Sequence, residues 1–279
     1  LAPALAAVPA PPAGPFPGGR AAALAAQDDP GVGVPDPAAV EAAIERLDEA
    51  FDKGDGPARI AAIEAAREVL DGAVVDRVAR GLRDREVDVV RATLETLRFM
   101  PHPAALDALH KAYKRDKKLR KDEESFALLV KAIGQHGKAD SIDVLADDPF
   151  GVRDAKVVTA RILGLGNIRD PRSVEELIGL MRLAGRHRVQ EHMQSFRLAL
   201  MILTSADEGE SQDGWTKWWN EHKKDLVVAP EPPKLPQRFQ RTWDYFWGNE
   251  RQRARDKKRE DRGNDPEGPG DPPAGNGRP

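Results

Sequence analysis

Residues 160–177 read ARILGLGNIRDPRSVEEL, and residues 94–109 read LETLRFMPHPAALDAL. Aligned, Leu97 falls on Leu165, Met100 on Ile168, Pro103 on Pro171, Leu106 on Val174 and Leu109 on Leu177, each at an offset of 68. The stretch between them, KAIGQHGKADSIDVL (131–145), fits the same frame. Ile133, Ile142 and Leu145 follow Leu97, Leu106 and Leu109 by 36 residues and precede Leu165, Val174 and Leu177 by 32. Leu203-Thr204 continues the series 38 residues after Leu165-Gly166. Three apolar anchors that hold one register mark an internal repeat. A unit this short holds two helices that cannot bury their apolar sides alone, so neighbouring units must stack.

Outward from these anchors, the pattern is helical from Asp36 to Leu226. Asp36-Pro37 is a helix start, a capping carboxylate followed by proline at the first helical position. Val40, Ile44, Leu47 and Phe51 then share one face, as do Phe126, Leu129, Val130 and Ile133. The same spacing recurs in Val174, Leu177, Ile178 and Met181, and again in Val189, Met193, Phe196, Leu200 and Leu203. No alternating strand pattern competes, so the class is all-α. Five helix pairs are expected, at about 36–71, 73–101, 103–137, 139–168 and 171–205.

Leu165-Gly166-Asn167-Ile168-Arg169-Asp170-Pro171, running on to Val174 and Leu177, resembles the HEAT-repeat family, in particular its short bacterial members. The likeness lies in a second-helix ending, a tight glycine turn and an Asp-Pro start to the next repeat. Val90-Arg91-Ala92 is similar to the Val-Arg pair that opens a HEAT second helix. The likeness covers roughly 73–226 and implies an α-solenoid in which second helices line the concave face. In such a stack Arg91, Glu95, Arg98, Lys131, Arg161 and Arg197 occupy outward polar positions and are the candidate partner contacts. The glycine turn is expected to work by accepting positive φ.

DGWTKWWNEHKKDL (213–226) carries Trp215, Trp218 and Trp219 at i, i+3 and i+4, with Asp213 as the expected N-cap. A stack needs a last element that is apolar inside and polar outside. The three tryptophans are therefore expected to cap it, and three rings on water would instead make a sticky patch. A proline-rich spacer follows at 227–236. Residues 237–262 then place Phe239, Trp243, Phe246 and Trp247 at i, i+4, i+7 and i+8, an amphipathic tail helix with a charged second half. Two roles stay open for its aromatic face: folding back on the repeat stack, or docking into the groove of a partner. Residues 1–35, rich in Ala and Pro, read as a disordered linker or an atypical export signal, leaving periplasmic and cytoplasmic locations equally open. Residues 263–279 are expected to be disordered.

The composition narrows the chemistry. The net charge is -3 and cysteine is absent, which excludes disulfides, thiolate catalysis and Cys-ligated metal. No phosphate loop, nucleophile elbow, dinucleotide fingerprint or His-Glu-x-x-His occurs. His187 and Glu191 stand at metal-ligand spacing without a third ligand, and Asp207, Glu208, Glu210 and Asp213 lack the order of a calcium loop. Neither a cofactor nor a metal is expected. The basic run at 111–121 is answered at once by Asp122-Glu123-Glu124 and reads as a solvated corner. A non-enzymatic protein-interaction scaffold is the expectation. A nucleic-acid-binding or phosphate-binding solenoid and an enzyme of the HEAT-like lyase or glycosylase type are the alternatives.

Overall fold

The helix starts carry the side chains that capping chemistry requires. The computed structural model describes residues 35–151, 154–186 and 190–248. Helix α1 (Pro37–Lys53) opens with the Asp36 carboxylate accepting from the Ala38 N–H at 3.1 Å. Asp55 and Asp71 cap α2 (Gly56–Ala65) and α3 (Gly72–Val78) in the same way. In α5 (Pro103–Arg115) the Nδ1 of His102 accepts from Ala104 at 3.2 Å. Asp122 starts α6 (Glu123–Gln135) and Asp154 starts α8 (Ala155–Asn167). The remaining members are α4 (Val87–Arg98), the short α7 (Ile142–Ala146), α9 (Pro171–Arg186), α10 (Met193–Thr204), α11 (Gln212–His222) and α12 (Gln237–Trp247). The described residues contain no strand, and the fold is all-α.

Helices α1 with α2, α3 with α4, α5 with α6, α7 with α8, and α9 with α10 pack as successive pairs. The second members form one continuous row, α2 on α4, α4 on α6, α6 on α8 and α8 on α10. The first members form another: α1 meets α3, α3 meets α5, α7 meets α9 and α9 meets α11. Where α5 faces the short α7, side chains bridge the two. His110 Nε2 lies 3.0 Å from the Ser141 hydroxyl, and the Tyr113 hydroxyl donates to Asp147 at 3.1 Å.

The repeat anchors are the core between these rows. Leu97, Ile133 and Leu165 are fully buried, as are Leu109, Leu145 and Leu177, and Leu203 is nearly so. Pro103 and Pro171 each open a helix, α5 and α9. The glycines behave differently from the turn role expected of them. Gly137, after α6, does adopt a left-handed φ of 62°. Gly166 does not; it lies inside α8, where a Cβ would come within 2.7 Å of the Ala199 Cβ on α10. Its missing side chain lets two second helices approach, which is a packing requirement and not a turn. Gly134 and Gly164 do the same between α6 and α8, a Cβ on Gly134 falling 2.6 Å from the Gly164 Cα.

At the end of the stack α11 extends the row of first helices. Its N-cap is Ser211, whose hydroxyl accepts from the Gly214 N–H at 3.0 Å, two residues before the expected Asp213. Trp215 is the apolar anchor, 0% exposed, with its indole N–H donating to the Gly209 carbonyl at 2.9 Å. Trp218 and Trp219 are half-buried against the core, and Trp218 stacks on His222 with ring centroids 4.5 Å apart. One ring therefore fills the interior and two cover it. Of residues 1–35, expected to be a linker or an export signal, 1–34 lie outside the described residues, as do His187, Val189, the basic half of the tail and residues 263–279.

Candidate protein-interaction face

The tail helix α12 lies against the row of second helices. Proline 236 precedes it, and Gly248 ends it in a left-handed conformation at φ 63°. Trp243 and Trp247 are buried, Phe239 and Phe246 are half-buried against the core, and Tyr245 on the other side is 71% exposed. Trp243 and Trp247 meet edge to face at 5.6 Å, and Phe246 meets Trp247 at 4.7 Å. Large aromatic rings with edge-to-face contacts supply much apolar area from a short segment. This area makes the eleven-residue helix tenable, since it is too short to persist in water unaided.

Three of the expected contact residues receive that face. The ring of Trp247 approaches Gly134 of α6, with 3.4 Å between its edge and a Cβ built there. Arg98, at the end of α4, donates through one guanidinium nitrogen to the Trp247 carbonyl and to the Gln135 side chain, and through the other to Glu95 at 3.0 Å. Lys131 on α6 places its ammonium 4.8 Å from the Phe246 ring centroid. Arg197 on α10 lies 4.8 Å from the Phe239 ring centroid. Its guanidinium is held by two hydrogen bonds to Asp207, at 2.7 and 2.6 Å. That pairing raises the Arg197 pKa and lowers the Asp207 pKa, so both stay charged. Cation–π contacts of this kind contribute about 0.5–2 kcal/mol, more as water is excluded.

The other expected contacts have different roles. Glu95 orients Arg98. Arg91 turns along the stack and pairs with Asp122 at 3.2 Å and Glu124 at 2.9 Å, at the start of α6. The Asp122 pKa is lowered first by the Ser125 hydroxyl, with further help from the Ser125 N–H and Arg91. Arg161 is not on the outward face. It is 2% exposed and donates to the Val144 and Leu145 carbonyls and to the Tyr113 hydroxyl at 2.9–3.1 Å. An arginine can end helix α7 from inside because α7 is short and its last carbonyls lack helical donors. The repeat register sets Arg161 four residues before Leu165, level with the buried Thr93, Leu129 and Ala199, and so away from the column of Arg91 and Arg197; the α7 carbonyls it meets leave no mark in that register.

Sequence reasoning missed Arg169, which lies in the turn between α8 and α9. Its guanidinium donates to the Ile202 carbonyl at 2.6 Å, the Ala229 carbonyl at 2.7 Å and the Glu231 carbonyl at 3.0 Å. The proline-rich spacer is thus fastened to the stack, and Val228 and Leu235 pack partly against the core. Only the position of Arg169 beside Asp170-Pro171 was visible beforehand, and backbone carbonyls from a distant segment leave no sequence mark.

The basic corner at 111–121 is partly used internally. Arg120 donates to the Tyr113 carbonyl at 3.0 and 2.5 Å and stacks over its ring at 4.5 Å. Lys111, Lys114, Lys117, Lys118 and Lys121 are exposed. Among the described residues no group of three or more His, Asp or Glu could hold a metal ion, and no helix is long and apolar enough to cross a membrane. No protein-family model matches the chain, and no curated protein matches its sequence.

Proposed function

We propose that this chain is a short-repeat, HEAT-like α-solenoid that works as a protein-interaction scaffold and acts by binding, not by chemistry. The observation that carries the reading is the seating of α12 on the second-helix row. An amphipathic helix with four aromatic residues on its inner face is held there by Arg98, Lys131, Arg197 and the glycine pair at Gly134. Arginine, lysine stems and aromatic rings around a small-residue seat make an interaction surface of helix-in-groove type. The repeat register, the two rows of helices and the Asp-Pro helix start of α9 support the HEAT-like assignment.

The test is photo-crosslinked capture from the native cell with the intact chain carrying the crosslinker at exposed positions of α4, α6 and α10. The reading expects a protein whose crosslinks fall on the second-helix face. Recovery of nucleic acid through the exposed lysines of 111–121, or turnover of a small molecule by the purified chain, would replace it.

A further inference from the structure

Helix α12 is held unlike the other described helices. Each of α1–α11 runs close along the backbone of a neighbour, whereas α12 has no such extended packing and rests on side-chain tips. We propose that the face beneath α12 is a directional groove for an amphipathic aromatic helix of a partner protein, and that α12 is its resident competitor. This rests on the scaffold reading above.

The groove specifies direction as well as pattern. At one end Arg98 donates to the carbonyl of Trp247, the last residue of α12, where no helical N–H remains to satisfy it. A cation at a helix C-terminus also complements the helix dipole. Gly248 provides the left-handed turn that exposes that carbonyl. At the other end the fixed Arg197–Asp207 pair meets Phe239. A ligand must therefore run from α10 towards α4, with aromatic or bulky apolar residues at i, i+4, i+7 and i+8 and a glycine next.

The resident helix is an imperfect fit. The indole N–H of Trp247 is buried without an acceptor, and a buried donor left unpaired weakens the contact that buries it. A helix with an apolar residue in that place keeps the packing against Gly134 and loses the defect. This difference selects a partner over a second copy of the chain. The α12 of a second copy would bring the same unpaired indole, and it would give up the hydrogen bonds by which Arg169 fastens the spacer of its own chain. A tether of this length raises the local concentration of α12 to about the millimolar range, so a partner helix must outcompete it.

The probe is a fluorescent peptide of residues 237–248 with Trp247→Leu, added to the full chain and followed by anisotropy. It should bind the Trp243→Ala/Trp247→Ala chain at least about tenfold more tightly than the wild-type chain, because the tethered competitor is weakened. Lys131→Ala and, separately, Arg98→Gln in that background should reduce binding, and a peptide of reversed sequence should not bind. Arg169→Gln, which frees the spacer and leaves the groove intact, should raise peptide affinity on its own if the double tryptophan variant folds poorly. Absence of peptide binding to every variant overturns the inference, as does equal binding to wild-type and double-variant chains. A full chain that dimerises through its own α12 also overturns it. Crosslinked partners on the second-helix face without peptide binding would leave the scaffold reading intact and remove only this one.

Discussion

Gly134→Ala and Gly179→Ala are the same substitution in two helices of one chain, and the structure gives them opposite signs. At Gly179, in α9, an added Cβ meets nothing within 4 Å. Alanine there replaces a costly helix residue with the best one and should stabilise the fold by about 0.5–1 kcal/mol. At Gly134 the added Cβ lies 2.6 Å from the Gly164 Cα and 3.4 Å from the Trp247 ring. Non-bonded carbons rest at about 3.5–4.0 Å, so α6 and α8 must part by roughly an ångström. The nearest atom is backbone and cannot rotate away. Overpacking of this kind costs about 1–3 kcal/mol, and the propensity gain at the penultimate position of α6 offsets about 1 kcal/mol at most. The net expectation is a loss of about 1–2 kcal/mol.

Urea denaturation followed by far-ultraviolet circular dichroism reads both signs in one experiment, the midpoint rising for Gly179→Ala and falling for Gly134→Ala at unchanged slope. Heating should lower the melting temperature of Gly134→Ala by about 2–4 °C per kcal/mol lost, as for a unit of this size. A Gly134→Ala chain at least as stable as wild type would refute the close approach of α6 and α8, and with it the seat on which Trp247 rests.

Other perturbations test the remaining supports. Trp215→Ala, at a fully buried ring, should cost about 3–5 kcal/mol, and Trp218→Ala, at a half-buried one, clearly less; equal losses in thermal melts would contradict the division of labour in α11. Arg161→Met should destabilise by about 2 kcal/mol or more, because the Val144 and Leu145 carbonyls lose their buried donor; a neutral effect would mean that water reaches the end of α7. Burial lowers the pKa of His110, His136 and His192, so these rings are neutral in the folded chain and take up protons more readily once unfolded. Stability is then full above the unfolded histidine value of about 6.5 and falls as the pH drops through the lower folded values. A second loss follows below about 3.9, where Asp122, Asp170 and Asp207, all held low, become protonated. Urea midpoints between pH 7.5 and 5 should show the first slope, and His136→Gln, which keeps a donor for the Leu97 carbonyl, should flatten it.

How far the molecule was legible in its sequence depends on whether a residue's role is repeated. Leu97, Ile133, Leu165 and Leu203 are read from one another, because each unit poses the same burial problem and solves it with the same position. A helix start such as Asp36 is also legible, since it acts on an N–H group two residues away, although at α11 the expected Asp213 yields to Ser211. Reading fails where a role is set by one non-repeated neighbour. Gly166 looks like a turn glycine until Ala199 is placed beside it. Arg161 shares its register position with the buried Thr93, Leu129 and Ala199, but the α7 carbonyls that let an arginine sit there are seen only in the fold.

The tail is the sharpest case of that divide. Its aromatic spacing states that α12 must be covered on one side, yet says nothing of what covers it. The answer lies in residues that the family resemblance had marked as outward, Arg98, Lys131 and Arg197, together with Arg169, which it did not mark. A face that were merely solvated would have no reason to carry a helix-end donor, two further cations at ring distance and a glycine seat in one line. Their conjunction under a helix attached by a spacer, not by its own backbone packing, is what the proposed binding face rests on, and one more layer of core would not require it.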